Sequence, residues 1–387
     1  MKYLLLLLDG AADMEYEALQ EQTPLAYAHT PTLDEWCAKG QLGRAQTIPK
    51  KRIPGTETAM ETLLTDGETS FGRAAMEAYA DGVKIADACV YRLNFLGIQD
   101  YRIVHYFTCQ TDENVQDQIM QALCADAVCQ QYLKQMNASI ERGKSGQYYV
   151  LARGYAPKST SPFLLMEKAY YTCWPDTWAK WGTFVALWLD DHPLNAQRRN
   201  ENKQGFDLLW PWAEGKKTND IPSLYARYGK KGACVAATPF LKGMADRVGM
   251  DVLAVHGATG GMDTNIAAKA CAAVNAWNTH DFVLVHLEAP DACSHNQDIM
   301  GKVKSIEMGD ALLKGILDQS DEEIRLLVMT DHYTFCKNGR HGAEPVPYFI
   351  ASTGINETHS DMRFCEEDAQ SMGMIMGDQL LNTLFFK

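Results

Sequence analysis

Apolar residues in this chain come in short unbroken runs separated by polar, helix-periodic stretches. Tyr3–Leu8, Ala233–Ala237, Phe282–Leu287 and Leu326–Met329 are continuous and rich in branched side chains. That texture belongs to strands buried on both faces, whereas half-exposed strands alternate. Asp251–Val255 reads as one more strand. Between the runs lie well-punctuated helices. Around Pro31–Lys39, Thr30 caps, Pro31 occupies the first turn, Leu33, Trp36 and Cys37 make the apolar face and Gly40 stops the helix. Thr56 onward through Leu64, Asn265–Asn275 and Lys302–Leu317 are similarly periodic. Strands alternating with helices in this way predict an α/β fold with a mostly parallel sheet.

The texture changes between about 86 and 205. Ala88–Leu96, Gln147–Arg153 and Thr183–Leu189 read as strands among polar helical stretches such as Glu113–Leu123, and aromatics are dense from Tyr148 to Trp181. Residues 200–228 are polar and irregular and read as a return linker. The predicted organisation is a discontinuous core domain, 1–85 and 225–387, with a smaller α/β domain inserted at 86–224 together with its linker.

Three of the core strands end on metal-competent residues. The first runs into Asp9-Gly10, Phe282–Leu287 leads to Asp291 and His295, and Leu326–Met329 leads to Asp331-His332 with His341 nearby. One acid after a strand is a helix cap. Parallel strands, however, deliver their carboxyl ends to a single edge, where α/β proteins bind ligands. Thr56 follows a Pro-Gly turn at a helix start, where the helix dipole favours a developing alkoxide or a bound phosphate. Three Asp and three His supply ligands for two divalent ions with open positions for substrate oxygen. Such a pair with a hydroxyl nucleophile suits phosphoryl transfer or hydrolysis.

Composition narrows the partners. A net charge of −13 argues against nucleic acid or an anionic membrane and leaves a small anionic metabolite. The 11 cysteines lack CxxC pairs and sit among apolar neighbours, as reduced thiols in a cytoplasm would. The apolar start closes at Asp9 too soon for a signal peptide, and no run approaches the roughly 20 residues of a membrane helix.

The order strand-Asp9-Gly10, Pro54-Gly-Thr56-Glu-Thr-Ala59, Asp291-x-x-x-His295, Asp331-His332 and His341-Gly-x-x-Pro-Val-Pro347 resembles the alkaline phosphatase superfamily. Within it, the chain is similar to the archaeal-type cofactor-independent phosphoglycerate mutases. Thr23-Pro24-Leu25, Gly257-Ala-Thr-Gly with Asp263-Thr264-Asn265, and Gly301-Lys302-Val303 carry the likeness further. The resemblance implies a three-layer phosphatase-like core with an inserted cap domain that closes over the substrate. It implies two divalent ions, manganese first and zinc, magnesium or cobalt compatible, with no need for 2,3-bisphosphoglycerate. Asp9, Thr56, Asp331 and His332 would hold one ion, and Asp291, His295 and His341 the other. Thr56 would form a phosphoenzyme, where many relatives carry Ser. Arg73, Arg92, Asn94, Lys230 and Lys231 are the candidate substrate contacts, with Arg suited to bidentate oxyanion binding.

The inserted segment departs from that pattern. Gly72-Arg73-Ala74-Ala75 stands where relatives carry Gly-Arg-Gly-Pro, and Gln147-Tyr148-Tyr149 replaces a Tyr-Arg-His stretch. A Pro-His-Asp stretch has no counterpart near Ser161-Pro-Phe. Val285-His-Leu-Glu288-Ala-Pro-Asp291 is similar to a branch proposed to act as homoserine kinases. The alternatives are therefore a homoserine kinase-like phosphotransferase, a phosphomonoester hydrolase, or a non-catalytic regulator or binding protein that keeps the fold.

Overall fold

The computed structural model describes residues 1–65, 72–109, 111–175, 178–216, 221–354 and 361–386, with the side chain of Phe163 set aside. The chain divides into two compact units, Met1–Thr69 with Asp220–Lys387, and Ser70–Asn219.

The first unit is built on an eight-stranded sheet. In chain order its strands are β1 (Lys2–Leu8), β2 (Gln41–Gln46), β3 (Gly232–Val235), β4 (Asp251–Val252), β5 (Phe282–Leu287), β6 (Ile324–Met329), β7 (Val346–Ser352) and β8 (Met374–Met376). Their order across the sheet is β8-β2-β7-β6-β1-β5-β3-β4. Every pairing is parallel except those of β7, which runs against both its neighbours. The leucine-rich β1 lies between β5 and β6, so both its edges and both its faces are covered and Leu4 to Leu8 are fully buried. Burying each such side chain contributes roughly 1.5–3 kcal/mol. Helices α1 (Thr56–Thr65), α2 (Ile266–Ala276), α3 (Ala289–His295) and α4 (Ile299–Asp318) belong to this unit. Val303, Ile306, Leu312, Leu313 and Ile316 of α4 pack with Leu4, Leu6 and Leu8 in one core cluster.

The second unit has an antiparallel sheet of five strands, centred on Cys89–Gln99. Two sequence expectations fail here. Thr183–Leu189 lies in a helix, Ala179–Asp190, because Trp181, Val185 and Leu189 recur every four residues and form its buried face. The supposed linker contains a strand, Leu208–Lys216, whose residues 208–212 are all buried. Pro211 reads as a breaker, yet among the described residues this strand pairs only with Cys89–Gln99, and proline is tolerated on an edge strand. Trp178 and Trp181 pack into the core of this unit. Expected strand Asp251–Val255 shortens to its first two residues.

Candidate metal centre

The carboxyl ends of β1, β5 and β6 adjoin, since Leu7 pairs with His286 on one side and Met329 on the other. Asp9 follows β1, Asp291 and His295 lie on α3 after β5, and Asp331-His332 follow β6. His341 sits on a two-stranded ribbon, Tyr333–Phe335 with Arg340–Gly342, between β6 and β7. Thr56 is the first residue of α1, reached through the loop after β2, and the Thr47 hydroxyl anchors that loop on the Asp331 carbonyl at 2.6 Å.

These residues converge. Thr56 Oγ1 is 3.2 Å from Asp9 Oδ1 and 3.1 Å from His332 Nε2. Ligand atoms of Asp9, Asp331 and His332 lie within 4.8 Å of one another, as do those of Asp291, His332 and His341. His295 Nε2 joins the second group, 3.2 Å from Asp291 Oδ2 and 3.0 Å from His341 Nε2. His332 thus stands within reach of both groups.

The donor set fits a divalent cation on three counts. Asp331 Oδ1 accepts from the Gly10 and His332 backbone N–H groups, while the buried Oδ2 has no hydrogen bond and faces His332 Nε2 at 3.4 Å. His332 Nδ1 faces the Tyr333 carbonyl, which can only accept, so the proton sits on Nδ1. The Nε2 lone pair therefore points toward the Thr56 hydroxyl and the carboxylates of Asp9 and Asp331, a convergence of acceptors that a cation would satisfy. Thirdly, the acids strain one another. Burial, with the charges of Asp331, Asp291 and Glu288, pushes the Asp9 carboxyl well above the ordinary range. A bound cation would discharge that repulsion. Burial works to raise Asp291 too, but hydrogen bonds from His295 and His341 outweigh it and hold this carboxyl well down. Burial keeps His332 neutral, whereas against its own burial His341 is raised by Asp291.

His286 is not among the site residues the sequence singles out. It is fully buried, and its Nε2 lies 2.9 Å from Asp9 Oδ2. Burial and the Lys269 ammonium push it down to about 3, so it is a neutral ring, and its contact orients the Asp9 carboxyl. Its Nδ1 makes no hydrogen bond. The alternation of side chains along β5, read against Asp9 on the adjoining strand, was the available signal.

The candidate substrate residues are dispersed. Lys230 and Lys231 precede β3, so they fall at the amino-terminal edge of the sheet, opposite the acids. Lys230 Nζ sits 4.7 Å over the Tyr3 ring and the Lys231 N–H donates to Asp281. Loops entering parallel strands go to that edge, and the structure does not bring either lysine to the metal ligands. Arg73, Arg92 and Asn94 belong to the second unit. The buried Glu77 carboxylate binds Arg73 at 2.8 Å and Arg92 at 3.2 Å, and both guanidiniums lie over the Trp212 ring. Asn94 donates to the Phe107 carbonyl and accepts from the Trp212 indole, so its amide is committed within the unit.

Comparison with known proteins places the chain. A family model described as the metalloenzyme superfamily matches residues 1–385. The 2,3-bisphosphoglycerate-independent phosphoglycerate mutase of Methanosarcina mazei is 32% identical over 403 residues, covering 99% of each chain. The enzyme of that name from Pyrococcus furiosus is 30% identical, covering 98% of this chain and 95% of its own. Among solved structures, a Pyrococcus horikoshii protein superposes with a TM-score of 0.77 at 28% identity, covering 99% of this chain and 96% of its own. A cofactor-independent phosphoglycerate mutase from Thermoplasma acidophilum shares the fold, with a TM-score of 0.56 at 21% identity and 99% coverage of both chains. Among the described residues, no helix is long and apolar enough to cross a membrane.

Proposed function

The chain belongs to the metalloenzyme superfamily, and on that premise we propose that it is a 2,3-bisphosphoglycerate-independent phosphoglycerate mutase, interconverting 3- and 2-phosphoglycerate through a phosphothreonine at Thr56. The observation that carries this reading is the Thr56 hydroxyl, set at a helix start 3.2 Å from Asp9 and 3.1 Å from His332 among two groups of ligands. Asp9, Thr56, Asp331 and His332 would hold one divalent ion, and Asp291, His295 and His341 a second. Manganese is the metal the family resemblance favours, with zinc, magnesium or cobalt compatible, since Asp/His sets accept several ions. Bound there, divalent ions supply positive charge to the phosphoryl oxygens and to the Thr56 oxygen.

The rest of the chemistry belongs to the chain. Thr56 Oγ1 attacks phosphorus in line and gives up its proton, the ester bond to the glycerate oxygen breaks, and that oxygen takes up the same proton, with Asp9 Oδ1 at 3.2 Å placed to carry it. The glycerate then presents its other hydroxyl, which takes the phosphoryl group and returns Thr56 Oγ1 to its protonated form. Asp9 orients the hydroxyl, and His286 orients Asp9. The N–H groups of the first turn of α1 face a phosphoryl group held on its first residue. Arg73 and Arg92 are assigned to the oxyanions of the substrate, with Glu77 fixing their planes.

Metal-loaded protein supplied with 3-phosphoglycerate, and with no bisphosphoglycerate added, is expected to form 2-phosphoglycerate to equilibrium. Release of inorganic phosphate without 2-phosphoglycerate, or ATP-dependent phosphorylation of homoserine in its place, would reject the mutase assignment.

A further inference from the structure

We propose that Thr334 is a positioning residue that joins the two groups of metal ligands through one hydroxyl, and that the buried ammonium of Lys302 holds it there. The inference rests on the metal-centre reading above. Thr334 Oγ1 lies 2.7 Å from Asp291 Oδ1 and 3.0 Å from His332 Nδ1. A hydroxyl has one hydrogen, and an ionised carboxylate can only accept. The hydrogen therefore goes to Asp291, and the oxygen accepts from the His332 Nδ1–H. One side chain thereby holds the carboxylate of one group and, sharing the Nδ1–H with the Tyr333 carbonyl, the ring of the imidazole both groups share. Partners of this kind orient metal ligands and raise their basicity.

The backbone of Thr334 is held as firmly. Its N–H donates to the Ala12 carbonyl at 3.1 Å, and its own carbonyl accepts from Lys302 Nζ at 2.7 Å. The same ammonium donates to the Ala12 carbonyl at 3.2 Å and to Asp13 Oδ2 at 2.9 Å, so its three donors meet three acceptors. Lys302 and Asp13 side chains are both fully buried. The loop after β1, which begins at Asp9, and the loop after β6, which begins at Asp331-His332, are thus pinned to one point. Gly10 leaves room for the arrangement. Its φ of +57° suits glycine, and a Cβ there would come within 2.5 Å of Thr334 Oγ1 and 2.6 Å of Asp291 Oδ1.

The test is Mn²⁺ binding to metal-stripped protein by calorimetry, comparing wild type, Thr334→Val, Thr334→Ser and His295→Ala. Thr334→Val keeps the shape and removes the hydroxyl. Its Mn²⁺ affinity is expected to fall about 10–100-fold, and Thr334→Ser is expected to return to within a few-fold of wild type. A residue that only packs would change the melting temperature and leave the affinity of the folded protein alone. Wild-type affinity in the valine variant, or a serine variant as weak as valine, overturns the proposal. Should the valine variant not fold, Thr334→Ala against Thr334→Ser decides the same question. His295→Ala separates the two levels of the argument. If wild type and His295→Ala bind Mn²⁺ equally, the metal reading fails. If His295→Ala is weakened and Thr334→Val is not, the Thr334 assignment alone fails.

Discussion

Replacing Lys302 by methionine should destabilise the first unit severely, although no part of the ammonium reaches solvent. Methionine fills a similar volume, so packing is largely conserved. What is lost is charge. Asp13 Oδ2 accepts from Lys302 and the Cys336 N–H, and Oδ1 from the Met14 N–H and the Tyr16 hydroxyl. Without the ammonium, Asp13 remains a buried carboxylate with hydrogen bonds but no counter-charge, and the Ala12 and Thr334 carbonyls each lose a donor. Breaking a buried pair on one side costs about 3–5 kcal/mol. For a unit of this size each kcal/mol moves the midpoint by about 2–4 °C, so the transition should fall by roughly 6–20 °C in scanning calorimetry. The double variant Asp13→Asn/Lys302→Met removes the stranded charge and should lose less than the sum of the single changes, by about 1–3 kcal/mol. A Lys302→Met protein melting within about 2 °C of wild type would refute the reasoning, as would strict additivity in the double variant.

Three further outcomes follow from the same geometry. Thr56→Ala should abolish turnover while Mn²⁺ still binds through Asp291, His295 and His341, and Thr56→Ser should stay active; mutase assays with metal analysis check both. Lys269, fully buried with its ammonium on the His286 carbonyl, has its pKa pushed down to about 8 by burial. Because the unfolded lysine titrates near 10.4, the unfolded state binds more protons between those values. Stability should then rise by up to about 1.4 kcal/mol per pH unit from pH 8 to 10, relative to Lys269→Met; parallel denaturant titrations yielding no such divergence would count against the buried ammonium. Arg92→Lys keeps the charge but loses the planar fork, so KM for 3-phosphoglycerate should rise at least tenfold, measured by steady-state kinetics, and an unchanged KM would remove Arg92 from oxyanion binding.

Much of the core was legible because parallel strands have a direction. A buried run such as Tyr3–Leu8 closing on Asp9 says which edge the acid occupies, and the same logic applies to Asp331-His332. The same logic puts Lys230 and Lys231, which precede their strand, at the other edge. What stayed hidden depends on strand order. His286 looks like any polar residue in a buried strand until β1 is known to lie beside β5 and to bring Asp9 within 2.9 Å of it. Lys302 was visible as part of Gly301-Lys302-Val303 and Thr334 only as a neighbour of Asp331-His332, since nothing local shows that an ammonium on α4 meets two loops at once. In the second unit, local propensity misled. Thr183–Leu189 is rich in β-formers, yet spacing by four decides the buried face, and a strand tolerates Pro211 because, among the described residues, it pairs along one side alone.

The most direct test of the whole account is the covalent state of residue 56. Metal-loaded protein mixed with 3-phosphoglycerate, quenched in acid within a turnover and digested, should yield the peptide spanning Thr56 with one added phosphoryl group on that threonine. This species should form and disappear at rates compatible with turnover, and should be missing from Thr56→Ala. Mutase turnover with Thr56 never phosphorylated, or with the phosphoryl group on another residue, would contradict it.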